Sequence, residues 1–421
     1  MFIFKNYGYD ALEKTAWFEY GFDDKDYVFR ETMRFENVLQ SYDKEALQRA
    51  LFLSFLVVGT SYFKTFPVHE VRFEKGAIDT WQAHFLDKVY QEGLSQFAFE
   101  NNLTRDGLAH FAATTTDTVS PLSYSGEGVI ALQSGGKDSL LVACLLEKKH
   151  QDYTPWYVSN GPAYPKLLDD LTPNLSLAHR AIDRASLGQA ASEGGLSGHV
   201  PVTYIVLSYA IIQAVLLAKN TVIAAIAHEG DEPHGWIGDL PVNHQWSKTW
   251  QAEQLFAEYV QRYISPNIRV GSPLRDRTEL KVAELFSREA WPRFGEKFSS
   301  CNVANYAQGA DNSILQWCGN CPKCANAYLL FAPFIDRQVL DARLGGELFA
   351  KQGLTETFKG LLGIDGVMKP FECVGETAEL RSAYHLALGR GYGSLPFEVP
   401  QASFAIDQRY PAQEWAVKML Q

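Results

Sequence analysis

Ser134, Gly135, Gly136, Lys137, Asp138 and Ser139 stand in a row between the apolar run 128–132 and the helical stretch 139–148. Two adjacent glycines let the main chain bend sharply and aim successive N–H groups at one point. A helix starting at once behind them adds the positive end of its dipole. That is a cradle for pyrophosphate. The Lys137 ammonium and the hydroxyls of Ser134 and Ser139 complete it. Asp138 repels a bare anion, so its presence points to nucleotide accompanied by Mg²⁺. The bland alternative is a glycine-rich strand-to-helix turn that binds nothing.

A second constellation is Cys318-Gly319-Asn320-Cys321-Pro322-Lys323-Cys324, with Cys301 seventeen residues upstream. Thiolates at two-residue gaps converge on one tetrahedral ion when Gly319 and Pro322 turn the chain between them. Zinc suits the set best, an iron–sulfur cluster and ordinary buried thiols being the alternatives. Four protein ligands leave no open position, which makes such a metal structural. Cys301 is either the fourth ligand or a second catalytic thiol.

Residues able to move a proton or hold an anion are scattered more widely. Cys373 is the thiol clear of both the cysteine cluster and the helix behind the glycine loop, and a cysteine with a lowered pKa serves as a carbon-acid base. Against this, free cysteines are often simply buried, as Cys144 among Leu141, Val142 and Leu145 is expected to be. His199, His228 and His244 are competing bases, though a lone histidine is more often a hydrogen-bonded structural residue. Lys64 and Lys248 are suited to phosphate or carboxylate, or to solvent. Arg275 and Arg277 are suited to bidentate recognition, or to an ordinary helix start.

The elements that must position these groups divide the chain. Residues 1–120 read as an α+β unit: 29–35 alternates like a strand, 44–58 and 81–92 carry helical patterns, and the polar stretch 112–127 reads as a linker. From 121 to 335 strand, loop and helix repeat, as in a parallel α/β sheet: strands at 128–132, 153–159 and 221–227, and a long apolar helix at 202–219. In such sheets ligands sit beyond the carboxyl ends of the strands, which turns Asn160 and the segment 228–231 toward the nucleotide. Residues 336–421 are expected to be a helical region that contributes to the active site.

Composition narrows the classes. Of 421 residues 46% are hydrophobic and 21% charged, values of a folded globular chain, and the net charge of −11 with a pI near 5.5 argues against a nucleic-acid surface. Neither a secretory leader nor a membrane span is expected, since the apolar runs 51–58 and 204–218 are short or interrupted by polar residues. Cytoplasmic localisation follows, and the clustered cysteines fit a reducing compartment. Nothing in the sequence speaks to oligomeric state.

The glycine loop lacks the spacing of a Walker motif and resembles the PP-loop of the ATP pyrophosphatases, which cleave ATP between the α and β phosphates to make adenylates. Loop and cysteine cluster together resemble the 7-cyano-7-deazaguanine synthases. Further motifs separate the families. Gly59-Thr-Ser-Tyr-Phe-Lys64, Gly93-Leu-Ser-Gln-Phe97, Gly198-His-Val-Pro-Val-Thr203, Val242-Asn-His-Gln-Trp-Ser-Lys248, Ser300-Cys-Asn302, the cysteine run and Lys369-Pro-Phe-Glu-Cys-Val-Gly375 resemble, in order, the UDP-N-acetylmuramoyl-L-alanyl-L-glutamate epimerase (MurL) family. Phe63 and the stretch 228–235 depart from that pattern.

The resemblance implies a PP-loop fold and an ATP-dependent inversion of the terminal L-glutamate of a nucleotide-sugar peptide. Ser134 to Ser139 and Asn160 would bind ATP and Mg²⁺, and Cys373, His244, Lys248 and Asp138 would carry the chemistry. Cys301, Cys318, Cys321 and Cys324 would hold structural zinc. The chemistry is coherent, because adenylating a carboxylate removes the charge that makes its neighbouring α-proton so hard to abstract. A sulfur-transfer or nitrile-forming PP-loop enzyme is the alternative, separated by its consumption of sulfide or ammonia. A nucleotide-binding module without catalysis is the third class, and it would release no pyrophosphate.

Overall fold

The computed structural model describes every residue except 118, 173–174, 229 and 307–310. Eleven strands appear among the described residues: β1 (Phe2–Asp10), β2 (Thr15–Phe22), β3 (Phe29–Phe35), β4 (Val71–Phe73), β5 (Val129–Leu132), β6 (Thr154–Ser159), β7 (Ser176–Ala181), β8 (Thr221–Ile223), β9 (Gly235–Ile237), β10 (Leu240–Val242) and β11 (Arg269–Gly271). Nine of them share one sheet in the order β11-β8-β5-β6-β7-β3-β2-β1-β4, and β9 with β10 forms a separate hairpin.

Local sequence explains the N-terminal meander. Asp10 accepts through Oδ1 from the N–H groups of Leu12 (2.9 Å) and Glu13 (3.0 Å), and Lys14 takes a left-handed φ of 52°. That turns β1 into β2. Along β3 buried Phe29, Glu31, Met33 and Phe35 alternate with more exposed neighbours, as a strand covered on one face requires. Strands β5, β6 and β8 are covered on both faces: Ile130, Trp156 and Val222 join one core, while Val129, Ala131, Tyr157 and Ile223 join the other.

The segments on either side of 112–127 meet in the middle of this sheet. β3 pairs antiparallel with β7, setting Met33 opposite Arg180 and Phe35 opposite Ala178. Beneath the seam Arg180 donates to buried Glu31 through Nε (2.6 Å) and Nη2 (3.1 Å), and Tyr62 and Tyr209 donate to the same carboxylate. The described part of 112–127 carries no helix or strand. It is pinned by Thr114 N–H to the Ile78 carbonyl (2.8 Å) and by Arg49 to the Ser120 carbonyl (2.8 Å).

Helices Lys44–Val58 and Val202–Leu216 pack on each other against one face of the sheet. The first is capped by Asp43, which accepts from the N–H groups of Glu45 and Ala46. The helical stretch Lys44–Phe63 is long and apolar enough to cross a membrane, but 83% of its most apolar window is buried inside the protein. Helices Lys137–Lys148, Glu279–Glu289 and Pro322–Phe331 cover the other face. Around the last of these pack Arg337–Leu344, Thr355–Leu362 and Thr377–Leu388.

Two expected elements end early, and a third keeps its length but changes pitch. The strand expected over 221–227 stops at Ile223, because Ile226 bonds through both its N–H and its carbonyl to the Ser272 hydroxyl instead of to a strand. The helix expected to reach residue 219 ends at Leu216, where Ala218 turns left-handed with φ 51°. The helix expected over 81–92 is Thr80–Asp87, opened by a capping box between Asp79 and Gln82; its continuation Lys88–Glu92 widens to a π-turn.

Candidate functional site

β5 delivers the chain to the glycine turn, and the turn delivers it to helix Lys137–Lys148. Gly135 has φ +78°, a left-handed backbone that favours glycine, and a Cβ there would push on the Leu315 side chain at 2.6 Å. The Ser134 N–H donates to Ser139 Oγ (3.2 Å) and the Gly136 N–H to Ser134 Oγ (3.3 Å), which holds the turn in shape. Lys137 is buried. Its Nζ lies 2.7 Å from Asp138 Oδ1 and 2.8 Å from Glu279 Oε1.

One cavity brings together Lys137, Asp138, Lys248 and Cys373 with Glu279, Ser300, Lys323 and Asn326. These come from six places in the sequence. Helix Pro322–Phe331 supplies Asn326, whose Oδ1 accepts from the Gly375 N–H at 3.0 Å and so ties the turn after Cys373 to the helix. Asn302, just past Cys301, donates to Glu372 at 2.8 Å from the other side. Lys248 ends the short turn Trp246–Lys248, which Trp246 anchors by donating to Glu92 at 2.9 Å. Burial raises the Cys373 thiol pKa, but the Lys248 and Lys323 charges and a hydrogen bond from Lys248 outweigh it, so the thiol lies below its ordinary value.

Sequence reasoning missed Lys323 and Glu279. A lysine between two cysteines of one cluster cannot point where the sulfurs point, which is the signal for Lys323. Glu279 opens its helix directly after the capping Thr278, where a carboxylate is unremarkable.

The cysteines behave as a set. The Sγ atoms of Cys301, Cys318, Cys321 and Cys324 all lie within 4.8 Å of one another, with separations of 3.6 Å (Cys301 to Cys321), 3.8 Å (Cys318 to Cys324) and 3.5 Å (Cys321 to Cys324). A tetrahedron built on zinc–sulfur bonds has edges of about 3.8 Å. Backbone N–H groups of Ala304 and Gly319 point at Cys301 (3.4 Å) and Cys324 (3.2 Å), and Gly319 makes the turn with φ +68°. The four sulfurs therefore fit a structural ion, and Cys301 belongs with them.

Other expected residues lie elsewhere. His244 is not on the cavity wall: its Nδ1 is 2.6 Å from Gln96 Oε1, and its ring is 4.4 Å from that of His199 and 6.3 Å from that of His234. Burial pushes His199 and His244 down to about 3 and His234 down to about 4, so all three are neutral at physiological pH. Lys64 donates to the Gly198 carbonyl (2.6 Å), and burial with the charge of Arg180 lowers it to about 8. Asn160 is exposed, in a groove with Arg34, His179 and Arg184 at the carboxyl ends of β6 and β7.

Arg275 corrects the expectation of a substrate clamp. It is fully buried, its Nε on Glu253 (2.9 Å) and its Nη1 on the Ala227 carbonyl (2.7 Å), because the early end of β8 leaves that carbonyl needing a donor. Arg277 is spent on neighbouring Asp276 at 3.1 Å. His228 lies between Asp231 (3.3 Å) and Glu376 (3.4 Å) and stacks on Tyr410; Glu229, expected beside it to face the nucleotide, is outside the described residues. Cys144 is half-buried on the loop-following helix, where burial raises it to about 11.

A family model described as the MurL N-terminal domain matches residues 1–271, and one described as the MurL C-terminal domain matches residues 297–392. The UDP-N-acetyl-alpha-D-muramoyl-L-alanyl-L-glutamate epimerase of Xanthomonas oryzae pv. oryzae is 32% identical over 350 residues, covering 82% of this chain and 76% of that protein. Its namesake from Salinispora tropica is 30% identical over 422 residues, covering 98% and 90%. That of a Micromonospora species is 29% identical over 385 residues, covering 90% and 84%.

Proposed function

This chain belongs to the MurL family and is an isomerase, and we propose that it inverts the terminal L-glutamate of UDP-MurNAc-L-Ala-L-Glu to D-glutamate in peptidoglycan precursor synthesis, consuming ATP. The observation that carries the reading is the shared cavity: the loop residues Lys137 and Asp138 open onto the same space as Lys248 and Cys373. Activation and proton transfer then occur within reach of each other.

The glycine loop and the helix behind it hold the β and γ phosphates of ATP. An oxygen of the substrate α-carboxylate attacks the α-phosphorus, the bond to the bridging oxygen breaks, and pyrophosphate leaves. Asp138 is the loop residue that would hold Mg²⁺, which when bound offsets phosphate charge. Once the carboxylate is an acyl adenylate, the α-carbon is far more acidic, since its conjugate base is an enolate no longer forced to be a dianion.

Cys373 as thiolate takes the α-proton. Lys248 and Lys323 favour that thiolate electrostatically and offset charge building on the carbonyl oxygen. A proton delivered from solvent to the opposite face inverts the centre, Cys373 returns its proton to solvent, and water cleaves the adenylate to release AMP. His244, neutral and outside the cavity, has no place in the proton transfer proposed for Cys373. Zinc on the four cysteines would fix the start of helix Pro322–Phe331 and with it Lys323 and Asn326. Asn160, in the neighbouring groove at the carboxyl ends of β6 and β7, is assigned by the same reading to the nucleotide.

The test is direct. Purified protein is incubated with ATP, Mg²⁺ and UDP-MurNAc-L-Ala-L-Glu, and the glutamate freed by acid hydrolysis is resolved by configuration. D-glutamate, with AMP and pyrophosphate formed alongside, is the expected result. Glutamate that stays wholly L overturns the reading, and inversion without AMP overturns the adenylate.

A further inference from the structure

The Lys137 ammonium bridges two carboxylates, 2.7 Å from Asp138 Oδ1 and 2.8 Å from Glu279 Oε1. All three side chains line the cavity in front of helix Lys137–Lys148. Glu279 is only 5% exposed, and its second oxygen, Oε2, is buried with no hydrogen-bond partner. A buried carboxylate oxygen left without a donor is costly and marks a place prepared for one. Two carboxylates that share the Lys137 ammonium, with one oxygen still unmatched and Lys248 and Lys323 on the same wall, offer oxygen donors to a hard cation.

We propose that Glu279, together with Asp138, is a protein ligand for the divalent cation that accompanies the nucleotide, and that Lys137 passes from these carboxylates to the phosphates when metal and nucleotide enter. The inference rests on the nucleotide reading given above. In the ligand-free protein the lysine stands in for the metal, keeping two close acids neutralised. With the nucleotide in place the roles separate: the dication takes the carboxylates, and the freed ammonium takes phosphate charge that Asp138 and Glu279 would otherwise repel. Metal and nucleotide therefore bind cooperatively, each removing an obstacle to the other.

The test uses the full chain, Mn²⁺ as the probe and α,β-methylene-ATP as a nucleotide that cannot be cleaved at the reacting bond. Free Mn²⁺ is read by electron paramagnetic resonance, and nucleotide binding by calorimetry. Wild-type protein is expected to bind Mn²⁺ far better with the analogue than without it. Glu279→Gln, which keeps the side chain's shape, should weaken that Mn²⁺ affinity by about tenfold or more while metal-free nucleotide binds no worse. Lys137→Met, which removes the competing ammonium, should let nucleotide-free protein take up Mn²⁺ more tightly than wild type does. Unchanged Mn²⁺ affinity in Glu279→Gln, or no gain in Lys137→Met, overturns the proposal while leaving the nucleotide reading intact. Wild-type protein that binds neither the analogue nor Mn²⁺ with it overturns both.

Discussion

Gln245 donates through Nε2 to the carbonyl of Val374 at 3.1 Å, a contact between segments 129 residues apart. It joins the turn that ends in Lys248 to the turn that begins with Cys373. The two side chains proposed as base and electrostatic partner are thus held by one buried backbone-directed bond, and neither relies on its own flexibility to find the other.

Cys373→Ser replaces a thiol by a hydroxyl of far higher pKa and leaves the glycine loop untouched. Exchange of the glutamate α-proton with solvent should fall by about 10²–10⁴. AMP should still form. Deuterium uptake from D₂O, followed by mass spectrometry, separates the two steps; uptake at the wild-type rate would show that another group is the base.

The acid side of the pH–rate profile should report the same thiol. Only the thiolate can accept a proton, so rate rises with pH through the Cys373 pKa, which Lys248 and Lys323 hold below the ordinary thiol value. Removing one of those cations in Lys248→Met disfavours the thiolate and raises that pKa. The acid limb should therefore move to higher pH, and a limb that stays in place under kcat/KM measurement would contradict the arrangement.

For the cysteine cluster the expected stoichiometry is one zinc per chain, measured by elemental analysis of purified protein. Cys324→Ser should lose the ion and lower the melting temperature, because a bound structural ion contributes directly to folding. Lys323→Met should keep both the ion and the melting temperature while slowing turnover. Metal retained in full after loss of Cys324 would remove the four-sulfur site.

The histidine group makes an acid-labile point. Folded His199 and His244 stay neutral down to about 3 and His234 down to about 4, while unfolded histidines take up protons from about 6.5. Between these values the unfolded state binds more protons, so stability falls as pH falls through the window. The loss is up to about 1.4 kcal/mol per pH unit for each histidine. Urea unfolding at pH 7, 5.5 and 4.5 measures the slope, and His244→Gln should make it shallower.

Short-range features were legible in the residues themselves. Gly135 lets the chain bend sharply between strand and helix, and cysteines two residues apart turn onto one point; each depends on a few neighbouring dihedrals. The resemblance to the epimerase family was likewise carried by short motifs in order. Element ends were less legible, as at β8, where a serine from a distant segment captured Ile226 and cut the strand short.

Only the tertiary structure decided what those motifs do to one another. Nothing local says that β3 will pair with β7 to put both halves in one sheet, or that Arg275 will be consumed by Glu253 and the Ala227 carbonyl. Nor does anything local bring Glu279 to Lys137, Lys323 to Cys373, or remove His244 from the cavity wall. Such pairings form because strand register and the burial of two apolar faces fix the sheet first. Side chains from remote segments then take whatever partner the finished packing leaves within reach.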